Sequence, residues 1–171
     1  MSQALITIRR ALPGDAEKIA VVHDSAWRDA YRGIIPGREL EKLIARRGPD
    51  WWRRAVAQGS RILVLSTHGG VTGYVSYGRN RAPALDYAGE IFELYLAPEY
   101  QGVGFGKRLF TAALQDLIDA GLPTALVWTL EDNRRAVEFY RRIGGRQVRK
   151  ASELFGAVRL GRLAFGYGLP A

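Results

Sequence analysis

Residues 90–107 read EIFELYLAPEYQGVGFGK. The apolar stretch from about Glu90 to Ala97 has strand character and stops at Pro98. Gly102, Gly104 and Gly106 then fall at every second position, and an amphipathic run follows from Arg108 to Ala120. Three glycines in five residues remove side chains where a helix begins. The first N–H groups of a helix have no intrahelical acceptor and carry partial positive charge, so the turn is built to meet an anion.

Two nucleotide motifs fail on spacing. A triphosphate loop needs Gly-Lys followed by Ser or Thr, but Arg108 follows Gly106-Lys107, and no glycine stands at position 101. A dinucleotide fingerprint needs a third glycine three residues after the second. Counting from Gly102 and Gly104 that position is Lys107, and from Gly104 and Gly106 it is Leu109.

Working outward, Ala4–Arg10 alternates like a first strand, and Pro13-Gly14-Asp15 ends it, with Asp15 a candidate N-cap. Ile19, His23, Trp27 and Tyr31 recur at helical steps until Gly33. Pro36 opens a second helix around Glu39–Ile44, and Trp51–Ala57 adds a helical turn or two. Arg61–Ser66 and Val71–Gly78 read as a hairpin, and Arg79–Ala88 as a loop. In the helix after the glycines the expected buried stripe is Leu109, Phe110, Ala113, Leu114, Leu117 and Ile118, with Gly121 closing it.

Ala125–Leu130 reads as a central strand buried on both faces and parallel to a neighbour. A helix over Asn133–Ile143 and strands over Gln147–Leu154 and Val158–Tyr167 complete the order βαα–ββ–β–α–β–α–ββ. The fold class is mixed α/β (α+β) on a sheet partly antiparallel and partly parallel, expected as one domain over residues 1–171.

The chain has no cysteine, which removes thiolate nucleophiles and cysteine-held metals, and two isolated histidines, His23 and His68, make no metal site. No apolar run reaches membrane-spanning length, and the N-terminus lacks a secretion signal, so the expected setting is cytoplasmic. The formal charge is +8. Residues 1–85 hold 14 Lys/Arg against 7 Asp/Glu, and residues 86–171 hold 11 against 10, a balance that favours anionic partners. Nucleic acid is not expected, because no helix carries a sustained Lys/Arg stripe with interleaved aromatics.

Gln101-Gly102-Val103-Gly104-Phe105-Gly106, after a strand and before a helix, resembles the central motif of the GNAT superfamily of acetyl-CoA-dependent N-acetyltransferases. Asn133, Ala136, Phe139, Tyr140 and Gly144 resemble that family's second motif, Asn-x-x-Ala-x-x-Phe-Tyr-x-x-x-Gly. The order of elements is similar from end to end. The resemblance implies a mostly antiparallel sheet with a splayed, parallel central strand pair. It also implies acetyl-CoA as co-substrate and no metal. The backbone of Gly102 through Lys107 would hold the CoA pyrophosphate, with Gln101 leading into the turn. Leu94, Tyr95 and Leu96 would pair with the pantetheine arm, and an N–H near Leu94 would polarise the thioester carbonyl.

By the same resemblance Tyr140 protonates the departing thiolate, although it also lies on an apolar helical face and would pack there in any case. Glu90 or Glu93 accepts the proton of the incoming amine, or no protein base acts and both are solvated strand-end carboxylates. Strand alternation sets these two on opposite faces unless a bulge intervenes. Asn133 binds the cofactor arm or only caps its helix. Trp27, Tyr31 and Ile34 line the acceptor wall or form a core stripe. The expected activity is acetyl transfer to the primary amine of a small molecule by direct attack. Acetylation of a protein N-terminus or lysine, or non-catalytic acyl-CoA binding, are the alternatives. Assembly is open between monomer and homodimer.

Overall fold

A computed structural model describes residues 5–168. The expected first strand is formed by Thr7–Arg10 (β1); Ala4 lies outside the described residues. Three helices follow: α1 over Ala16–Tyr31, α2 over Gly37–Ala45 and α3 over Pro49–Ala57. Next come β2 (Arg61–Thr67), β3 (Gly70–Arg79) and β4 (Gly89–Leu96), then α4 (Phe105–Asp119) and β5 (Ala125–Leu130). The chain closes with α5 (Arg134–Arg142), β6 (Arg146–Phe155) and β7 (Val158–Tyr167).

These strands form one sheet in the order β1-β2-β3-β4-β5-β7-β6. Every pairing is antiparallel except β4 with β5. One face packs on α4 and α5 through Val75, Ile91, Leu109, Phe110, Leu117 and Phe165. The other packs on α1 and α3 through Ile19, Val22, Trp52, Val64 and Tyr74. A third cluster of Tyr31, Ile35, Leu40, Ile44 and Leu130 seats α2 against the end of β5. Burying both faces is what makes the inner strands read as continuous apolar runs.

Two local expectations change. Asp15 sits at the N-cap of α1 without capping it: its carboxylate instead accepts from the Leu12 N–H at 2.8 Å and from Arg9 at 2.7 and 3.0 Å. The stronger, charge-assisted partner takes the oxygens. Ile118 is half exposed, because the buried stripe of α4 runs through Leu109, Phe110, Ala113 and Leu117, and the next residue turns about 100° away from it. Among the described residues no helix is long and apolar enough to cross a membrane.

Candidate active site

The parallel pairing of β4 and β5 lasts three residue pairs: Gly89 with Ala125, Glu90 with Leu126, and Ile91 with Val127. Beyond them β4 stays bonded to β3 as far as Leu96, and β5 to β7 as far as Leu130. The two strands therefore part, leaving a slot edged by main-chain groups, a shape that accepts an extended ligand as an added strand. Gln101 ties its far end, donating from Nε2 to Leu96 O at 3.1 Å and accepting from Arg135 of α5.

At that end stands the glycine turn. Gly102 (φ 79°) and Gly104 (φ 90°) are left-handed, and a Cβ at either would meet nothing within 4 Å, so glycine is required by backbone conformation and not by crowding. Gly106 is different: a Cβ there would press on the Phe139 ring at 3.3 Å, so this glycine lets α4 approach α5. Helix α4 starts at Phe105, ahead of the expected Arg108. Among the described residues the N–H groups from Gly102 to Lys107 find no backbone acceptor, and the first helical bond is Arg108 N–H to Gly104 O at 3.3 Å. Six consecutive donors at a helix N-terminus are a cradle for an anion.

The two glutamates share a face. Glu93 is opposite Ser76 while Ile91 is opposite Tyr77, so Phe92 is an extra residue, a β-bulge that resets the alternation. Glu90, opposite Gly78, and Glu93 consequently both stand on the α1 side of the sheet. Their surroundings differ. Glu90 is buried beneath the Asn80–Ala88 loop, accepting from the Arg81 N–H at 3.0 Å and the Arg81 guanidinium at 2.9 Å. Glu93 accepts from Arg47 at 2.6 Å and from the Tyr74 hydroxyl at 2.9 Å. The guanidinium carbon of Arg47 lies over Trp51, 4.1 Å from its centroid.

Glu93 belongs to an aromatic cluster centred on Tyr95, whose ring packs against Trp27 (5.8 Å), Tyr31 (6.4 Å) and Tyr74 (6.0 Å), with its hydroxyl bonded to Tyr31 at 2.6 Å. Burial raises the phenols of Tyr31, Tyr74 and Tyr95 above their usual range, and for Tyr31 the hydrogen bonds of Tyr95 and Asn133 offset part of the rise. Asn133 caps α5, its Oδ1 accepting from the Ala136 N–H at 3.3 Å. Ile34 packs beside Tyr31 in the third cluster. His23 is fully buried between Trp27 and Trp52, both ring nitrogens without a partner among the described residues, and burial first, then the charge of Arg47, lowers its pKa to about 4.

Tyr140 lies on the opposite face of the sheet, in the core under α4 and α5. Its ring packs among Phe110, Phe139 and Phe165. Its phenol is raised by burial and then by Tyr31 and Tyr167, so it stays protonated at neutral pH. Tyr31, which adds to that rise, belongs to the α1 side. The structure thus brings Tyr31, Tyr95, Tyr74 and Glu93 together on the α1 face, with Asn133 at the head of α5 just past β5, Tyr140 on the opposite face, and Glu90 apart under its loop. Sequence reasoning missed Arg47 and Tyr74. Arg47 sits in an undistinguished Arg-Arg-Gly-Pro turn 46 residues before its partner, and nothing local marks it.

A helix-headed anion cradle thus stands at the end of a slot between splayed parallel strands, with a buried phenol on one face of the sheet and a carboxylate on the other. The profile of the Acetyltransferase (GNAT) family matches residues 19–145, and the chain belongs to that family of acyltransferases. It is 29% identical to the uncharacterized N-acetyltransferase YuaI of Bacillus subtilis, covering 95% of this chain and 93% of that protein. It is 36% identical to the mycothiol acetyltransferase of Pseudarthrobacter chlorophenolicus over 81% of its own length, while spanning 42% of that longer relative. The fold is similar to the PaiA N-acetyltransferase of Thermoplasma acidophilum in complex with coenzyme A, with a TM-score of 0.74, 20% identity, and coverage of 95% and 99% of the two chains.

Proposed function

We propose that this chain, acting as one domain over residues 1–171, moves the acetyl group of acetyl-CoA to a primary amine of a small molecule. The observation that carries this reading is the β4–β5 slot ending on the unpaired N–H groups of Gly102–Lys107. Those donors take the pyrophosphate, each charge-assisted bond contributing about 1.5–3 kcal/mol. The main chain of Leu94, Tyr95 and Leu96 pairs with the pantetheine arm, and Asn133 adds its Nδ2. The N–H near Leu94 polarises the thioester carbonyl.

Glu93 takes a proton from the incoming ammonium, directly or through water, because a protonated amine has no lone pair to attack with. It is preferred to Glu90, whose oxygens are enclosed by the loop residue Arg81. The freed nitrogen bonds to the carbonyl carbon as the C–S bond breaks. Tyr140 gives its proton to the thiolate, and the second proton shed by the nitrogen returns to Tyr140 through solvent. Trp27, Tyr31 and Ile34 bound the acceptor side. A cytoplasmic setting suits a consumer of acetyl-CoA, and gel filtration with light scattering separates a monomer from a homodimer.

The test is thermal melting with and without acetyl-CoA, followed by thiol release with a panel of amines. Stabilisation that grows with acetyl-CoA, and amine-dependent thiol release, are expected. Absence of stabilisation at concentrations far above typical affinity would sink the reading.

A further inference from the structure

Counted by halves, the positive charge lies toward the N-terminus, yet the densest run is elsewhere. Residues 134–162 hold nine Lys/Arg against two Asp/Glu. Part of this run is organised by a second bulge. On β6 Arg146 pairs with Gly166 and Arg149 with Ala164, so Val148 is the extra residue and both arginines stand on one face. Arg162 of β7 lies on the same face, two residues from Ala164. That face is the one bearing Glu93, because Trp128 pairs with Ala164 while Val127 and Phe165 turn into the α4–α5 core.

Arg162 is the unusual member. Its guanidinium carbon lies 4.2 Å over the Trp128 ring, and its Nε is buried without a partner. Among the described residues neither Arg162 nor Arg149 makes an ion pair. The other arginines of the acceptor side are committed, Arg47 to Glu93 and Arg81 to Glu90. The nearest acid on this face of β6, Glu153, is exposed and bonded to neither. A guanidinium that has given up part of its water and received no counter-charge is short of an acceptor. Its position is informative too. Arg162 pairs with Leu130 at the end of β5, where the slot is open, and so stands one strand beyond the gap that separates Trp128 from Glu93.

We propose that the amine acceptor carries an anionic group, a carboxylate or a phosphate, which Arg162 and Arg149 hold above Trp128 while the amine faces Glu93. The inference rests on the acetyltransferase reading and narrows its substrate class. Both groups share the chemistry that suits the planar, two-pronged donor of arginine, and the contact with Trp128 restricts where that fork can sit. Arg146 stands level with Gly166 and Leu126, where β5 is still paired to β4, and so lies away from the open part of the slot.

The experiment compares matched amines in the thiol-release assay: β-alanine with β-alaninamide, and phosphoethanolamine with ethanolamine. Alongside it, calorimetry on the CoA-loaded protein measures binding of succinate and of inorganic phosphate. The wild type is expected to prefer the acidic member of one pair, the pair naming carboxylate or phosphate, and to bind the corresponding acid. In Arg162→Gln the KM for that member should rise about tenfold to hundredfold, with kcat moved less, so that the preference collapses. Arg162→Lys, which keeps the charge and loses the fork, should fall between them. A wild type without preference for either acidic member, or a preference that survives Arg162→Gln, overturns the inference and leaves acetyl transfer standing. Should no amine react, the calorimetry decides: acid binding equal in wild type and Arg162→Gln overturns it. Failure to bind CoA at all removes both readings.

Discussion

The two ends of the β4–β5 slot are made of different materials. At the α4 end the chemistry belongs to the main chain: glycines with positive φ, six N–H groups with no backbone acceptor among the described residues, and a strand edge. On the α1 side it belongs to side chains brought from four separate segments, Trp27 and Tyr31 from α1, Arg47 from the turn after α2, Tyr74 from β3, and Glu93 with Tyr95 from β4. The first end binds through geometry that side-chain substitution barely touches unless it alters φ. The second binds through charges and hydroxyls that single substitutions can retune. A constant donor and a variable acceptor follow from that difference in construction.

If the contrast holds, the largest effect comes from the backbone end. Gly104→Val forces a β-branched residue to φ 90° and should lower kcat/KM for acetyl-CoA about a thousandfold, equivalent to losing two charge-assisted bonds, with CoA affinity by calorimetry falling in step. Unchanged CoA affinity would break the comparison. On the acceptor side Glu93→Gln should cost about a hundredfold in kcat/KM for the amine while CoA binding stays near wild type. Glu90→Gln should instead loosen the Asn80–Ala88 loop and lower the melting temperature. The reverse pattern would move the base to Glu90.

His23 gives a smaller, thermodynamic test. Its pKa in the folded chain is lowered to about 4, whereas the unfolded chain titrates near 6.5, so between those values the unfolded state binds the extra proton. Its contribution to stability is present above pH 6.5 and is lost as pH falls toward 4, by about 2 kcal/mol between pH 7 and pH 5. Denaturant melts of His23→Phe should lack that share of the loss. An equal loss in both proteins would mean that the ring titrates normally. Least affected should be Tyr140→Phe, about tenfold in kcat with little change in KM, because solvent can replace a single proton donor in part.

The backbone end was largely legible in the sequence, because glycine spacing records a backbone requirement in the residues that meet it. Strand and helix order were legible for a similar reason: periodicity reports which face is buried, as at Leu109, Phe110, Ala113 and Leu117. Ile118 shows where that signal ends, at the last turn, where one more apolar residue extends the pattern but not the contact. The α1 side was readable only as a set of candidates. Arg47 and Glu93 are 46 residues apart, and no local pattern announces that a turn after α2 will reach a strand on the sheet. Glu90 and Glu93 could be separated only by their neighbours, Arg81 for one and Arg47 with Tyr74 for the other.

Phe92 has a consequence for how this strand can change. As the surplus residue in β4 it acts like a frameshift in a two-letter code: upstream residues keep one parity, downstream residues take the other. Flattening the bulge with Phe92 taken into the ladder would send Glu90 and Glu93 to opposite sides of the sheet, or else exchange Leu94 and Leu96 with Tyr95 between apolar core and acceptor wall, whereas deleting Phe92 itself would leave every face as it is. The composition of β4 can drift one residue at a time, but a residue lost or gained elsewhere between Gly89 and Pro98 must be absorbed at the bulge or else turns one end of the strand over.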